Sequence, residues 1–216
     1  MRKFIYVLLF TIIQSIILFN THPNYLTLIG TLAGVLSVTT LVFRNPITFI
    51  FSMISNGAFL VIGVQHGVFS EMIQQPMYFV LSIIGLNTWL YNRKNRLVDF
   101  LASAKVRNII IVSVVFILVW GVISYNLGSK VFVRDALLGG IALASQSLEI
   151  GKNRFSWVGW ILLNTISIST WISVGNIAMA AMYTLYLINS VYGLIYWNFR
   201  LHVQNSRVSE NMDFPR

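Results

Sequence analysis

Eight hydrophobic segments follow one another along the chain, most of them long enough for a helix to cross the hydrocarbon core of a membrane. They lie at 4–19, 25–43, 46–66, 72–91, 107–125, 134–150, 155–174 and 177–198. The first begins like a signal peptide, with basic residues before an apolar run, but no small-residue cleavage site follows it. We therefore predict a retained helix there, with a helix lying in the membrane interface as the alternative.

Pairs of identical polar, glycine or aromatic residues are separated by the same number of positions along the chain. We call this number of positions the repeat offset. The coinciding pairs are Ser37 with Ser145, Asn45 with Asn153, Asn56 with Asn164, Gly67 with Gly175, Tyr78 with Tyr186, Ser82 with Ser190, Gly85 with Gly193 and Trp89 with Trp197. They predict two three-helix repeats joined by one helix. Three helices and a linker make four crossings, so the repeats enter the membrane in the same orientation, and folds of this kind place the substrate path between the halves.

The predicted fold is thus an all-α integral membrane protein with seven core helices and one additional N-terminal helix. Its parts are an N-terminal hydrophobic helix at 1–24, a first repeat at 25–91, a basic cytoplasmic loop with a linker transmembrane helix at 92–133, a second repeat at 134–198 and a cytoplasmic tail at 199–216.

Composition excludes a soluble domain, because 56% of the residues are hydrophobic and only 10% are charged. The net charge of +9 does not indicate nucleic-acid binding, since the basic residues lie between the hydrophobic segments. If all eight segments span the membrane, every Lys and Arg except Lys130 and Arg134 falls on one side. This asymmetry predicts that both termini are cytoplasmic.

Several predicted helices carry one polar or aromatic face at steps of three and four residues. Two such faces, at corresponding positions of the repeats, comprise Gln75, Tyr78, Ser82, Gly85 and Trp89, and Tyr183, Tyr186, Ser190, Gly193 and Trp197. For the two glycines and the two tryptophans we favour helix packing and interfacial anchoring. For Gln75, Tyr78, Tyr183 and Tyr186 we favour a position facing the substrate path.

A third face contains Trp157, Trp160 and Asn164, with Asn56 as the first-repeat counterpart of Asn164. A mid-helix asparagine needs partners, which an interhelical hydrogen bond or a polar ligand would supply equally well. Gln146 adds a polar group to a helix of small residues. Amide groups beside aromatic faces suit a flat heteroaromatic ligand, neutral or cationic.

The acidic residues and histidines of the sequence do not indicate ion coupling, metal binding or catalysis. All six carboxylates lie in loops or near predicted helix ends, which predicts that none reaches mid-membrane and favours facilitated movement over ion coupling. The chain has no cysteine and three well-separated histidines, so we expect no metal site, no cofactor and no catalytic residues.

At these residues the chain resembles the PnuC-type vitamin transporters, best known for nicotinamide riboside uptake in bacteria. The resemblance rests on Trp157, Trp160 and Asn164, on Gln75 before Tyr78, on Gln146, and on the two Gly to Trp steps. It covers about residues 25–200. One departure lies at 85–89, where the family usually has Gly, Trp, Tyr, X, Trp and this chain reads Gly, Leu, Asn, Thr, Trp.

The resemblance implies a single ligand between two three-helix bundles, facilitated diffusion across the bacterial inner membrane, and trapping of the product by a cytoplasmic kinase. A homo-oligomer such as a trimer is compatible with it. The implied binding residues are Gln75, Tyr78, Gln146, Trp160, Asn164, Tyr183 and Tyr186, to which the helix faces add Asn56 and Trp157. Alternatives are the same fold importing thiamine, riboflavin or a deoxynucleoside, a non-transporting membrane scaffold, and a membrane enzyme.

Overall fold

The computed structural model describes residues 2–91 and 104–213, and in these ranges every regular element is a helix. The eight helices are α1 (Arg2–Thr21), α2 (Tyr25–Val42), α3 (Ile47–His66), α4 (Phe69–Tyr91), α5 (Ala104–Asn126), α6 (Phe132–Ile150), α7 (Ser156–Ser173) and α8 (Ile177–Asp213). This confirms the all-helical prediction and its order of elements.

Helix α8 departs from the predicted bounds, because it continues to Asp213 through what we predicted as a tail from residue 199. No glycine or proline occurs between Phe199 and Asp213, so nothing in the sequence stops the helix there. Of the predicted basic loop at 92–106, residues 92–103 lie outside the described residues, and α5 begins at Ala104.

The outer surface of the helices is apolar, as expected for contact with lipid. Helix α5 exposes Val112, Leu118 and Val122 among other aliphatic side chains. Five helices are long and apolar enough to cross a membrane, namely α1, α2, α3, α5 and α8. In α4, α6 and α7 polar residues lower the hydropathy, and for these three the spanning role stays a prediction.

The helices pack in the order α2, α3, α4 and then α6, α7, α8, with α4 also contacting α6 and α2 contacting α8. These cross-contacts close the two groups into one six-helix bundle. Helix α5 packs on α6, and α1 packs on α2 and α8. The Tyr6 hydroxyl of α1 donates to Asn189 Oδ1 at 2.8 Å, which fixes α1 against α8.

Matching hydrogen bonds join the two groups at positions separated by the repeat offset. Trp89 Nε1 donates to the Ile150 carbonyl at 2.9 Å, and Trp197 Nε1 donates to the Val42 carbonyl at 2.9 Å. Each tryptophan thus crosses to the other group of three helices. Equivalent bonds at equivalent positions support the predicted repeat.

Two glycines separated by the repeat offset also make equivalent contacts. A Cβ atom at Gly85 would overlap the Phe49 ring, and one at Gly193 would lie 2.6 Å from the Trp157 indole. Phe49 meets Trp89 edge-on with centroids 5.0 Å apart, and Trp157 meets Trp197 edge-on at 5.3 Å. All four residues for which we favoured packing, the two glycines and their tryptophans, are packing residues.

Candidate functional site

A cavity lined by polar, aromatic and aliphatic side chains lies between the two groups of three helices, and it has a volume of about 80 Å³. Each of α2, α3, α4, α6, α7 and α8 contributes to its wall. The lining residues are Gly34, Ser37, Val38, Leu41, Ser52, Ser55, Asn56, Phe59, Gln75, Tyr78, Gln146, Glu149, Trp157, Trp160, Leu163, Asn164, Tyr183, Tyr186 and Ser190. All nine residues predicted from the sequence are among them.

Trp160 is held in a defined orientation on this wall. Its Nε1 donates to Glu149 Oε2 at 2.9 Å, and its ring lies 5.7 Å from the Tyr78 ring at a tilt of 48°. The indole is only half-buried, so part of it faces the cavity. A flat ligand would find an aromatic surface here with a carboxyl group at its edge.

The two predicted asparagines make different contacts. Asn164 Nδ2 on α7 donates to Ser190 Oγ on α8 at 3.1 Å, which is an interhelical hydrogen bond. Asn56 Nδ2 donates within α3, to Ser52 Oγ at 3.3 Å, and Ser52 in turn meets Ser82 Oγ of α4 at 3.1 Å. Of the two interpretations left open by the sequence, the interhelical bond is therefore present for Asn164.

Trp157 lines the cavity but is only 1% exposed, because its ring packs between Gly193 and Trp197. Its indole N–H is buried and has no hydrogen-bond partner among the described residues. Most of its surface serves helix packing, in contrast to that of Trp160.

Tyr186 closes one side of the cavity against α2. Its hydroxyl approaches Gly34 so closely that a Cβ there would overlap it. Glycine is needed at this position because the α8 side chain rests directly on the α2 backbone.

Gln75 and Tyr183 meet at a buried carboxyl group that the sequence analysis did not include in the site. Glu71, 3% exposed, accepts from Tyr183 Oη at 2.7 Å, from Trp171 Nε1 at 3.2 Å, and from Gln75 Nε2. The Gln75 amide oxygen is buried and has no partner among the described residues. We call Glu71, Gln75, Trp171 and Tyr183 the Glu71 network.

Glu71 and Glu149 lie near helix ends, as expected from the sequence, and the absence of a mid-membrane carboxylate stays a prediction. Glu71 stands in the first turn of α4 and Glu149 in the last turn of α6, yet both are buried, and Glu149 lines the cavity. A position near a helix end does not imply exposure when neighbouring helices cover that end. Helical spacing carried a usable signal, since Glu149 follows Gln146 by three residues and Glu71 precedes Gln75 by four.

Basic residues lie at the end of the molecule near Glu149. Lys152 Nζ lies 5.0 Å over the Trp89 ring, in a turn where Arg44 of the other group is also close enough to interact. Burial, with a smaller contribution from the Arg44 charge, lowers the pKa of Lys152 below its ordinary value. In the part of the chain that the structure describes, no cluster of three or more His, Asp or Glu residues could hold a metal ion.

Comparisons with known proteins agree with this architecture. The sequence model of a family described as nicotinamide mononucleotide transporter matches residues 24–199. The "Nicotinamide riboside transporter PnuC" of Neisseria mucosa is 25% identical over 211 residues, covering 89% of this chain and 79% of that protein. Its namesake from Haemophilus influenzae is 28% identical over 202 residues, covering 89% and 88%.

A solved structure shares the fold. The crystal structure of "the Vitamin B3 transporter PnuC" superimposes with a TM-score of 0.76 at 22% identity, covering 93% of this chain and 92% of that one. Helix α1 lies before the matched family region, while the cavity and all six helices that line it fall within it. A bundle of apolar helices around a central cavity with polar side chains in its wall, matched over most of its length by this family, identifies the chain as a member of the nicotinamide mononucleotide transporter family of membrane proteins.

Proposed function

We propose that this protein is a facilitated-diffusion uniporter that imports nicotinamide riboside across the bacterial cytoplasmic membrane, with the central cavity as its binding site. The family and the names of the two curated relatives support transport of a nicotinamide compound. The observation that carries the proposal is the pairing of the Trp160 indole with Glu149 in the cavity wall.

This pair suits the chemistry of the riboside. Its nicotinamide ring is a pyridinium, flat and positively charged. An indole face attracts such a ring by stacking and cation–π interaction, and a carboxyl group beside it favours positive charge. Gln146 and Asn164 stand on the same two helices and are proposed to meet the carboxamide and the ribose hydroxyls.

The lining chemistry favours the riboside over the mononucleotide that the family description names. Among the described residues that line the cavity there is no Lys or Arg, and the ionisable acid is Glu149. A phosphate group would have to leave water without a cation to pair with, which is costly. The riboside lacks that phosphate.

Facilitated diffusion is proposed although Glu71 and Glu149 are buried, as is Asp135 in the first turn of α6. Glu71 accepts hydrogen bonds from three side chains and Glu149 from one, so both have structural partners that do not depend on an ion. In this proposal they orient the cavity rather than carry protons. A cytoplasmic kinase would then trap the imported riboside as a phosphorylated product.

The proposed orientation places both termini in the cytoplasm, together with the turns that carry Arg44 and Lys152. The excess of Lys and Arg on that side supports it. A homo-oligomer such as a trimer is part of the proposal only through the family resemblance.

Titration calorimetry on purified protein tests the substrate. We expect nicotinamide riboside to bind most tightly, and nicotinamide mononucleotide to bind at least about a hundredfold more weakly because of its unpaired phosphate. Thiamine, riboflavin and deoxynucleosides form the rest of the panel. If one of these compounds binds most tightly, it replaces nicotinamide riboside as the proposed substrate. If no compound of the whole panel binds, a scaffold role is favoured.

A further inference from the structure

The Glu71 network lies at the end of the cavity opposite to the basic turns. Glu71 follows the α3–α4 turn at Gly67, and Trp171 lies in the last turn of α7. On its inner side the network contains Gln75 and Tyr183, which line the cavity.

A second cavity lies beyond the network at this end. It has a volume of about 410 Å³ and is lined by residues at helix ends, including Asn24, His66 and Asn176. The His66 ring meets Trp171 edge-on with centroids 5.7 Å apart. A continuous series of contacts therefore leads from the outer cavity through His66, Trp171 and Glu71 to the side chains of the inner cavity.

The network also joins the two groups of helices. Glu71 and Gln75 belong to α4, whereas Trp171 and Tyr183 belong to α7 and α8. The bonds that Glu71 accepts from Trp171 and Tyr183 must break before the two groups can separate at this end.

Gln75 and Tyr183 correspond at the repeat offset, but the bond from Trp171 to Glu71 has no counterpart at corresponding positions, unlike the paired tryptophan bonds at the basic end. The repeat offset pairs Glu71 with Met179, and it pairs Trp171 with Gly63. A Cβ at Gly63 would lie 2.7 Å from the Glu71 Cβ, so glycine provides the space that the glutamate occupies. The bond between Trp171 and Glu71 is thus specific to this end rather than a consequence of the repeated pattern.

We propose that Glu71 and Trp171 form the outer gate of the substrate path. With Trp171 and Tyr183 donating to Glu71 the gate is closed, and release of these bonds joins the outer cavity to the inner one. The proposal rests on the proposed transport function, and its sidedness rests on the proposed orientation.

A single introduced cysteine tests the gate without any substrate. The chain has no cysteine, and Ser55 is a buried residue of the inner cavity wall, so Ser55→Cys reports on access to that cavity. In this background we expect Trp171→Phe, which keeps an aromatic ring but removes the donor, to increase labelling by a membrane-impermeant thiol reagent outside intact cells about tenfold. That is the shift expected from losing one hydrogen bond to a carboxyl group.

Trp120→Phe is the matched control, because the buried Trp120 indole N–H has no partner among the described residues. Tyr183→Phe removes the second donor and should act like Trp171→Phe, which keeps the test valid if one variant does not fold. Equal labelling rates in the gate and control variants would overturn the proposal, as would an increase seen only in inverted vesicles. Since no ligand takes part, a wrong substrate assignment leaves this test unaffected.

Discussion

At the scale of the residue, the environment of Trp160 distinguishes it from the other buried tryptophans. Trp157 and Trp197 pack against each other and are almost fully buried, whereas Trp160 is half-buried and tied by its Nε1 to Glu149. A side chain fixed by one hydrogen bond and open on one face is already oriented before a ligand arrives. Such pre-organisation lowers the entropic cost of binding.

Replacing this side chain should therefore weaken binding strongly. We expect Trp160→Ala to remove about 1 to 3 kcal/mol of binding free energy, the scale of one lost stacking partner, or about five- to a hundredfold in affinity for nicotinamide riboside. Trp120→Ala is the control, because Trp120 lies in α5 and does not line the cavity. The folded fraction of this variant should keep the wild-type affinity for nicotinamide riboside. Calorimetry on both variants measures the difference, and equal affinities would remove Trp160 from the site.

The cavity side chains were predictable because they recur at helical spacing and face the same interface. Glu71 and Glu149 were not, because their burial depends on residues distant in sequence. Gly63 leaves room for Glu71, and Trp171 reaches it from 100 residues away. A position near a helix end could not indicate that these partners would enclose it.

At the scale of the helix, glycine against an aromatic ring sets how closely neighbouring helices approach. Trp157 of α7 lies directly on Gly193 of α8, and Phe49 of α3 on Gly85 of α4. Without a hydrophobic driving force between helices in lipid, such close packing is a main source of association. The sequence predicted the helix bounds closely except at α8. There the apolar segment ends before the helix does, so the predicted helix was too short.

A methyl group at this contact should disturb the fold. Gly193→Ala brings a Cβ within 2.6 Å of the Trp157 ring, so we expect a loss of about 1 to 3 kcal/mol in the free energy of unfolding. Gly57→Ala is the matched control, since a Cβ there meets nothing within 4 Å and alanine is the better helix former. Thermal unfolding of both proteins in the same detergent should show a lower midpoint for Gly193→Ala alone, and similar midpoints would contradict this account.

At the scale of the whole molecule, hydrogen bonds between the two groups of helices bridge both ends of the cavity. The tryptophan bonds to Ile150 and Val42 hold the basic end, and the Glu71 network holds the other. Movement of one group against the other would open one end at a time, as alternating access requires. The parallel repeat predicted from the repeat offset explains why the two groups resemble each other, and the paired contacts support it.

Uptake of labelled nicotinamide riboside into liposomes that contain the purified protein tests the central claim most directly. We expect the riboside to enter until its concentrations inside and outside are equal, at a rate that an imposed proton or sodium gradient does not change. Liposomes with Trp160→Ala should take it up more slowly at low concentration. Accumulation above equilibrium driven by either gradient would contradict facilitated diffusion, and absence of uptake by correctly folded protein would contradict the proposed function itself.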